Sequence, residues 1–147
     1  MAPLSIDKPR TPVDWAEMRE ICCETAARPI PPEQRDAFGE TWIGPYERRA
    51  SEWAYVARDE KGGVAGYLTG CLRSASFYAK LALFGPRPVL GANTRFGAKA
   101  LLGLVRRYPA HLHVNVRERH RGGVGRALVE RFERDAKAAG AKLVIVR

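Results

Sequence analysis

The sequence predicts a mixed α/β (α+β) fold, a sheet with helices on its faces. Three observations carry this. Tyr108 to Arg147 changes from a period of two to a helical period across a glycine loop, then ends in a short apolar run. Glu52 to Leu72 reads as two strands about the turn Lys61-Gly62-Gly63. Helical stretches lie before and after that hairpin, an order that suits helices layered on a sheet.

The elements follow in order. Leu4 to Lys8 is an edge strand. Thr11 is an N-cap, Pro12 suits the first helical position, and Asp14 favours the positive helix end. Trp15, Met18, Cys22 and Thr25 then line one face of a helix ending near Ala27. Arg28-Pro29-Ile30-Pro31-Pro32 breaks it, because proline cannot continue a helix. Pro32 to Ala50 is expected to be helical in pieces, interrupted at Gly44-Pro45. Glu52 to Arg58 is a strand in which Trp53, Tyr55 and Ala57 alternate with their neighbours. Val64 to Leu72 returns, its glycines marking a bulge or a close backbone approach. Ser74 to Leu83 is a short helix, stopped at Gly85-Pro86-Arg87-Pro88, and Thr94 to Arg107 is a basic one.

In the last third, His111, His113 and Asn115 point one way from a strand, while Leu112, Val114 and Val116 point the other. From Val124 the apolar positions Val124, Leu128, Phe132, Ala136 and Ala139 recur at helical spacing. Gly140 ends that helix, where a positive φ is easily adopted. Leu143 to Val146 is read as a buried strand.

At 147 residues, 46% of them apolar, the chain suits one soluble domain with its own core. It holds no bilayer-length apolar run and no signal-peptide pattern, so no membrane partner is expected. Cys22, Cys23 and Cys71 form an odd set without metal-ligand spacing. They are read as reduced, buried thiols of a cytoplasmic protein that binds no metal. The net charge is +9. Between Arg73 and Arg117 there is no acidic residue at all, while Lys80, Arg87, Arg95, Lys99, Arg106 and Arg107 lie there. Such a block suits an anionic partner, or simply a solvated basic face. Nothing matches a helix-turn-helix, zinc finger or RNA-recognition signature, so nucleic acid is not the expected partner.

The loop Arg117-Glu118-Arg119-His120-Arg121-Gly122-Gly123-Val124-Gly125-Arg126 has chemistry available to it. Glycines let the backbone approach a ligand, and the first helical turn offers unpaired N–H groups at the positive end of the dipole. A diphosphate fits there, with Arg117, Arg119, Arg121 and Arg126 adding charge. The plainer reading of the same residues is a glycine turn with solvated arginines. A dinucleotide-binding unit fits less well, because Leu128 stands where its third glycine would be.

Strand, Arg/Gln-x-x-Gly-x-Gly/Ala loop and helix together resemble the acetyl-CoA motif of the GNAT N-acetyltransferase superfamily. Here the loop reads His120-Arg121-Gly122-Gly123-Val124-Gly125, followed by Arg126-Ala127-Leu128. The position three before Gly123 is His120, where the pattern has Arg or Gln; alternatively Arg121 is that basic residue and the loop is one residue short. Thr11-Pro12-Val13-Asp14-Trp15, Gly44-Pro45-Tyr46, Gly66-Tyr67-Leu68-Thr69-Gly70, Phe77-Tyr78 and Tyr108 to Asn115 are similar, in that order, to one branch. It comprises the acetyltransferase-like domains of some O-GlcNAc hydrolases and their free-standing bacterial relatives.

The resemblance implies a GNAT-like, mostly antiparallel sheet over residues 1–147, in which the strands ending near Val116 and starting near Lys142 splay apart. It implies an N-acetyltransferase that uses acetyl-CoA as cosubstrate and a primary amine as acceptor. Arg121, Gly122, Gly123, Val124, Gly125 and Arg126 would hold the cofactor's diphosphate, and the backbone at Val114 and Val116 its thioester arm. His113 is the candidate base and Asn115 an orienting group, with Tyr46 and Tyr78 lining the acceptor pocket. The family continues after its fifth strand with a helix and two strands, and the expectation is that this domain lacks them. The expected consequence is a truncated domain of weak turnover, or a homodimer through the open sheet edge. The competing functions are a CoA-binding domain without efficient catalysis and a basic nucleic-acid module.

Overall fold

The computed structural model describes residues 4–84, 103 and 106–142. The expected strand Leu143–Val146 and most of the expected helix Thr94–Arg107 lie outside them. The first strand, β1 (Ser5–Asp7), leads into α1 (Pro12–Glu24), and a 3₁₀ turn at Pro32–Gln34 leads into α2 (Arg35–Arg49). Then come β2 (Tyr55–Arg58), β3 (Val64–Cys71), α3 (Ser74–Phe84), β4 (His111–Val116) and α4 (Val124–Ala138). The strands form one sheet in the order β1-β2-β3-β4, every neighbouring pair antiparallel. The mixed class, the antiparallel sheet and the helices on both faces are as expected.

Among the described residues, hydrophobic clusters cover both faces of the sheet. On one face Trp15, Met18 and Ile21 of α1 and Ile43 of α2 pack on Val56, Val64 and Tyr67. On the other, Val124, Leu128, Phe132 and Ala136 of α4 pack on Tyr55, Ala57 and Leu68. Strand β3 is therefore buried over its whole length. Its glycines are sites of close approach. A Cβ at Gly70 would lie 2.5 Å from the Phe132 ring, and one at Gly66 3.0 Å from the Asn115 carbonyl. Cys22, Cys23 and Cys71 are free and buried.

The start of α1 is a reciprocal cap. Thr11 Oγ1 accepts from the Asp14 amide at 3.2 Å, and Asp14 Oδ2 accepts from the Thr11 amide at 3.3 Å. Arg58 then clamps Asp14 with two hydrogen bonds, 2.8 and 2.9 Å. Replacing Thr11 by Ala should cost about 1 kcal/mol, read as a lower denaturant midpoint at unchanged slope. An unmoved midpoint would mean that the Asp14–Arg58 pair alone fixes this end. The helix closes earlier than expected, at Glu24, where the Thr25 hydroxyl donates to the Ile21 carbonyl at 2.8 Å.

The expected interruption at Gly44-Pro45 is not there: α2 runs through both residues. Proline removes one rung of a helix, but tertiary ties hold this one. Arg19 of α1 donates to Glu40 at 3.0 Å and to Glu47 at 2.5 Å, and Arg48 also reaches Glu40. A Cβ at Gly44 would sit 2.3 Å from Glu40 Oε1, and one at Gly39 2.8 Å from Arg19 Cβ. Both glycines make room for the α1–α2 ion-pair cluster rather than breaking the helix. A second correction concerns the hairpin. Glu52 and Trp53 belong to a 3₁₀ turn, Ser51–Trp53, and the strand begins only at Tyr55.

Candidate active site

The site grows from the register of β3 and β4. Tyr67 stands opposite Asn115, Thr69 opposite His113, and Cys71 opposite His111. Residues directly opposed in an antiparallel pair share a face. All six therefore look towards α1 and α2, as the alternation of β4 leads one to expect. Leu112, Val114 and Val116 lie on the other face, against α4.

His113 and Asn115 are brought together. Asn115 Nδ2 donates to the Tyr67 hydroxyl at 2.9 Å and lies 3.0 Å from His113 Nε2. With that amide donating, neutral His113 carries its proton on Nδ1 and keeps its lone pair on Nε2. The imidazole lies nearly parallel to the Trp42 indole, with centroids 6.5 Å apart, and 6.3 Å from the Tyr67 ring. His113 is exposed at the surface, but desolvation of the ring by its neighbours lowers its pKa below the ordinary 6.5, so the neutral form persists into mild acid.

His111 is built differently. Tyr46 Oη is 2.9 Å from its Nε2, and Ser74 Oγ 2.7 Å from its Nδ1. Tyr78 stacks on it at 5.3 Å and Phe77 meets it edge-on at 5.4 Å. Burial pushes its pKa down to about 4. A neutral imidazole has one donor and one acceptor nitrogen, so one hydroxyl donates and the other accepts. His111 thus fastens α2 and α3 to β4. Tyr46 lies in this fastening, its acidity suppressed by burial.

The glycine loop starts where the β3–β4 ladder stops, at the Arg117 amide on the Ala65 carbonyl, 2.9 Å. In an antiparallel ladder the outward and inward backbone groups alternate. Arg117, Asn115 and His113 therefore face β3, and the N–H and C=O groups of Val114 and Val116 face the outer edge. After a 3₁₀ turn at Glu118–His120, Gly122 and Gly123 take φ of 122° and 111°, conformations that side chains strongly disfavour. Neither would bring a Cβ near any other atom. Helix α4 begins on Gly123 with no side-chain cap, and its first rung is the Ala127 amide on the Gly123 carbonyl, 2.9 Å. The amides of Val124, Gly125 and Arg126 are left without helical acceptors.

The arginines divide. Arg117 is not available to an anion at the loop: its Nε donates to the Val64 carbonyl at 3.0 Å and its Nη1 to Glu24 at 2.5 Å. Arg126 is exposed and pairs with Glu130 at 2.8 Å. Arg119 and Arg121 are exposed. His120 turns away, its Nε2 3.9 Å from Asp59. Of the two readings of the basic position, that leaves Arg121 beside the glycines. Between loop and hairpin lies an open cleft of about 510 Å³, whose walls mix Asp59 and Glu60 with Lys61, Arg119 and Arg121. Gly122 and Val124 of the glycine loop line it as well. Among the described residues no group of His, Cys, Asp and Glu is arranged to hold a metal ion. No described helix is long and apolar enough to cross a membrane.

Sequence reasoning passed over Trp42, Ser74 and the role of Tyr67. Tyr67 was within reach, because it alternates on β3 with the same parity as Thr69 and Cys71. Trp42 and Ser74 reach the site only through helix docking.

No protein-family model matches the chain, and no curated protein matches it. Solved structures do. The crystal structure of SsHAT superposes with a TM-score of 0.76 at 25% identity, covering 95% of this chain and 80% of that one. Polyamine N-acetyltransferase from Drosophila melanogaster gives a TM-score of 0.61 at 16% identity, covering 95% and 73%. Agmatine N-acetyltransferase, as the S171A mutant, gives 0.59 at 13% identity, covering 95% and 72%. The fold is that of the GNAT-family N-acetyltransferases.

Proposed function

We propose that the chain moves the acetyl group of acetyl-CoA to a primary amine. The observation that carries this is the uncapped start of α4. Three unpaired amides stand at the end of a strand whose polar face bears a histidine, within a GNAT fold. The residues present fit the cofactor. Two glycines leave open space over the loop, the helix dipole favours a diphosphate, and exposed Arg119 and Arg121 add charge. When bound, acetyl-CoA supplies an acetyl group already activated as a thioester. Gly122, Gly123, Val124, Gly125 and Arg126 hold the diphosphate through backbone groups. Outward-facing N–H groups of Val114 and Val116 polarise the acetyl carbonyl. His113 accepts the proton that the amine loses, at Nε2 or through one water, and Asn115 orients the ring.

A binding-only reading draws on one observation: the Nε2 lone pair of His113 is already shared with Asn115. Calorimetry with CoA and acetyl-CoA, run beside a thiol-release assay, separates the two. Micromolar binding with amine-dependent release supports transfer. Binding without release leaves the chain a CoA-binding domain, and no binding removes both.

The role of His113 has its own test. His113→Ala should lower kcat about 100-fold near neutral pH with CoA affinity retained. Because desolvation by its neighbours lowers the pKa, the wild-type rate should hold at pH 7 and fall only as pH drops below 6.5 and protonates the ring. The variant should lack that acid limb. The same limb in both enzymes would assign the titration to another group.

A further inference from the structure

Trp42 is a large apolar side chain of α2 that the fold leaves uncovered, 44% exposed. Phe38 packs beside it at 6.2 Å, and its indole lies within 25° of the His113 ring. The exposed indole therefore forms a flat platform next to the proposed base. Aromatic faces bind planar rings by offset stacking.

Charge narrows the choice of ligand. The polar face of β3 and β4 is built from Tyr67, Thr69, Cys71, His111, His113 and Asn115 and carries no carboxylate. The acids of α2 nearest in sequence to Trp42 are already engaged, Glu40 with Arg19 and Arg48 and Glu47 with Arg19. A polycation would find no free carboxylate among these groups to pair with its several ammonium charges.

We infer that the acceptor is an amine attached directly to a planar, uncharged ring, which lies on Trp42 while its nitrogen reaches His113. This rests on the transferase reading of the same site. Such a nitrogen is neutral at pH 7 and attacks without first losing a proton. Its lone pair forms the C–N bond to the acetyl carbon as the C–S bond breaks. The proton it then sheds passes to His113 and ends on the departing sulfur, giving the N-aryl acetamide and free CoA thiol. His113 never has to deprotonate a strongly basic ammonium, which suits a weakly basic imidazole.

The test compares p-toluidine, glucosamine and spermidine as acceptors, read by thiol release with acetyl-CoA. Binding of p-toluidine in the presence of CoA is measured separately by calorimetry. Wild type should favour p-toluidine over spermidine by about tenfold or more in kcat/KM. Trp42→Ala should raise the KM for p-toluidine about tenfold with CoA affinity unchanged, and Trp42→Phe should restore most of it. A preference for spermidine or glucosamine, or a p-toluidine KM indifferent to Trp42→Ala, overturns the inference. If no amine is turned over, the transferase reading fails on its own account and the binding arm decides the platform. No p-toluidine binding to wild type, or equal affinity in Trp42→Ala, then overturns it too.

Discussion

Gly123→Asp should weaken CoA binding by about 100-fold or more while the domain stays folded. The loop backbone gives the reason. Gly123 sits at φ 111° as the residue from which α4 starts, and a Cβ there would touch nothing. The cost to the fold is therefore conformational and about 1–2 kcal/mol. The cost to the ligand is larger. A carboxylate at an N-cap accepts from the first free amides of the helix, so it occupies the donors meant for the diphosphate. It also sets a negative charge against an anionic ligand. Losing two charge-assisted hydrogen bonds at roughly 1.5 kcal/mol each already amounts to about 3 kcal/mol. Gly123→Asn supplies the control: asparagine tolerates left-handed backbone and brings no charge. It should retain more affinity than the aspartate variant at similar stability. Calorimetry with CoA, paired with a melting curve, reads both effects. Unchanged affinity in folded Gly123→Asp would remove the loop from the cofactor site.

Much of this site was legible because it is local. The change of period at Val124, the glycines before it and the alternation of His111, His113 and Asn115 are all nearest-neighbour patterns. Those patterns set strand, loop and helix in place. What was not legible is set by contacts distant in sequence. Arg117 looks like one more cation in a basic loop, yet Glu24, far back on α1, captures it. Gly44-Pro45 looks like a helix break, yet Arg19 and Glu40 need the space that Gly44 leaves. Trp42 carries no local signal of a site at all. Its place beside His113 depends on how α2 docks over the sheet, which the ion pairs and glycines of the α1–α2 contact decide.

The fold should lose stability in mild acid, between about pH 6.5 and pH 4, and His111 should be the main cause. In the unfolded chain this ring titrates near 6.5; in the folded protein burial holds it near 4. Above pH 6.5 the ring is neutral in both states and contributes its full stability. As pH falls from 6.5 towards 4, the unfolded chain takes up a proton that the folded protein refuses. Each unit of pH then costs up to about 1.4 kcal/mol, about 3 kcal/mol over the window. The two hydroxyls on His111 do not forbid a charged ring, since either can accept. The enclosing Tyr78 and Phe77 rings and the lost hydration do. His113 shifts in the same direction, but it is exposed to solvent and adds little to the slope. Asp14 does not contribute there. Its carboxyl, held at about 2 by Arg58, loses its stabilising effect only as pH falls from about 3.8 through 2. His111→Gln keeps a donor and an acceptor at the site but cannot titrate. Denaturant unfolding from pH 7 to pH 4.5 should show the wild-type stability falling steeply and that of the variant falling much less. Parallel curves for the two proteins would place the acid-labile group elsewhere in the chain.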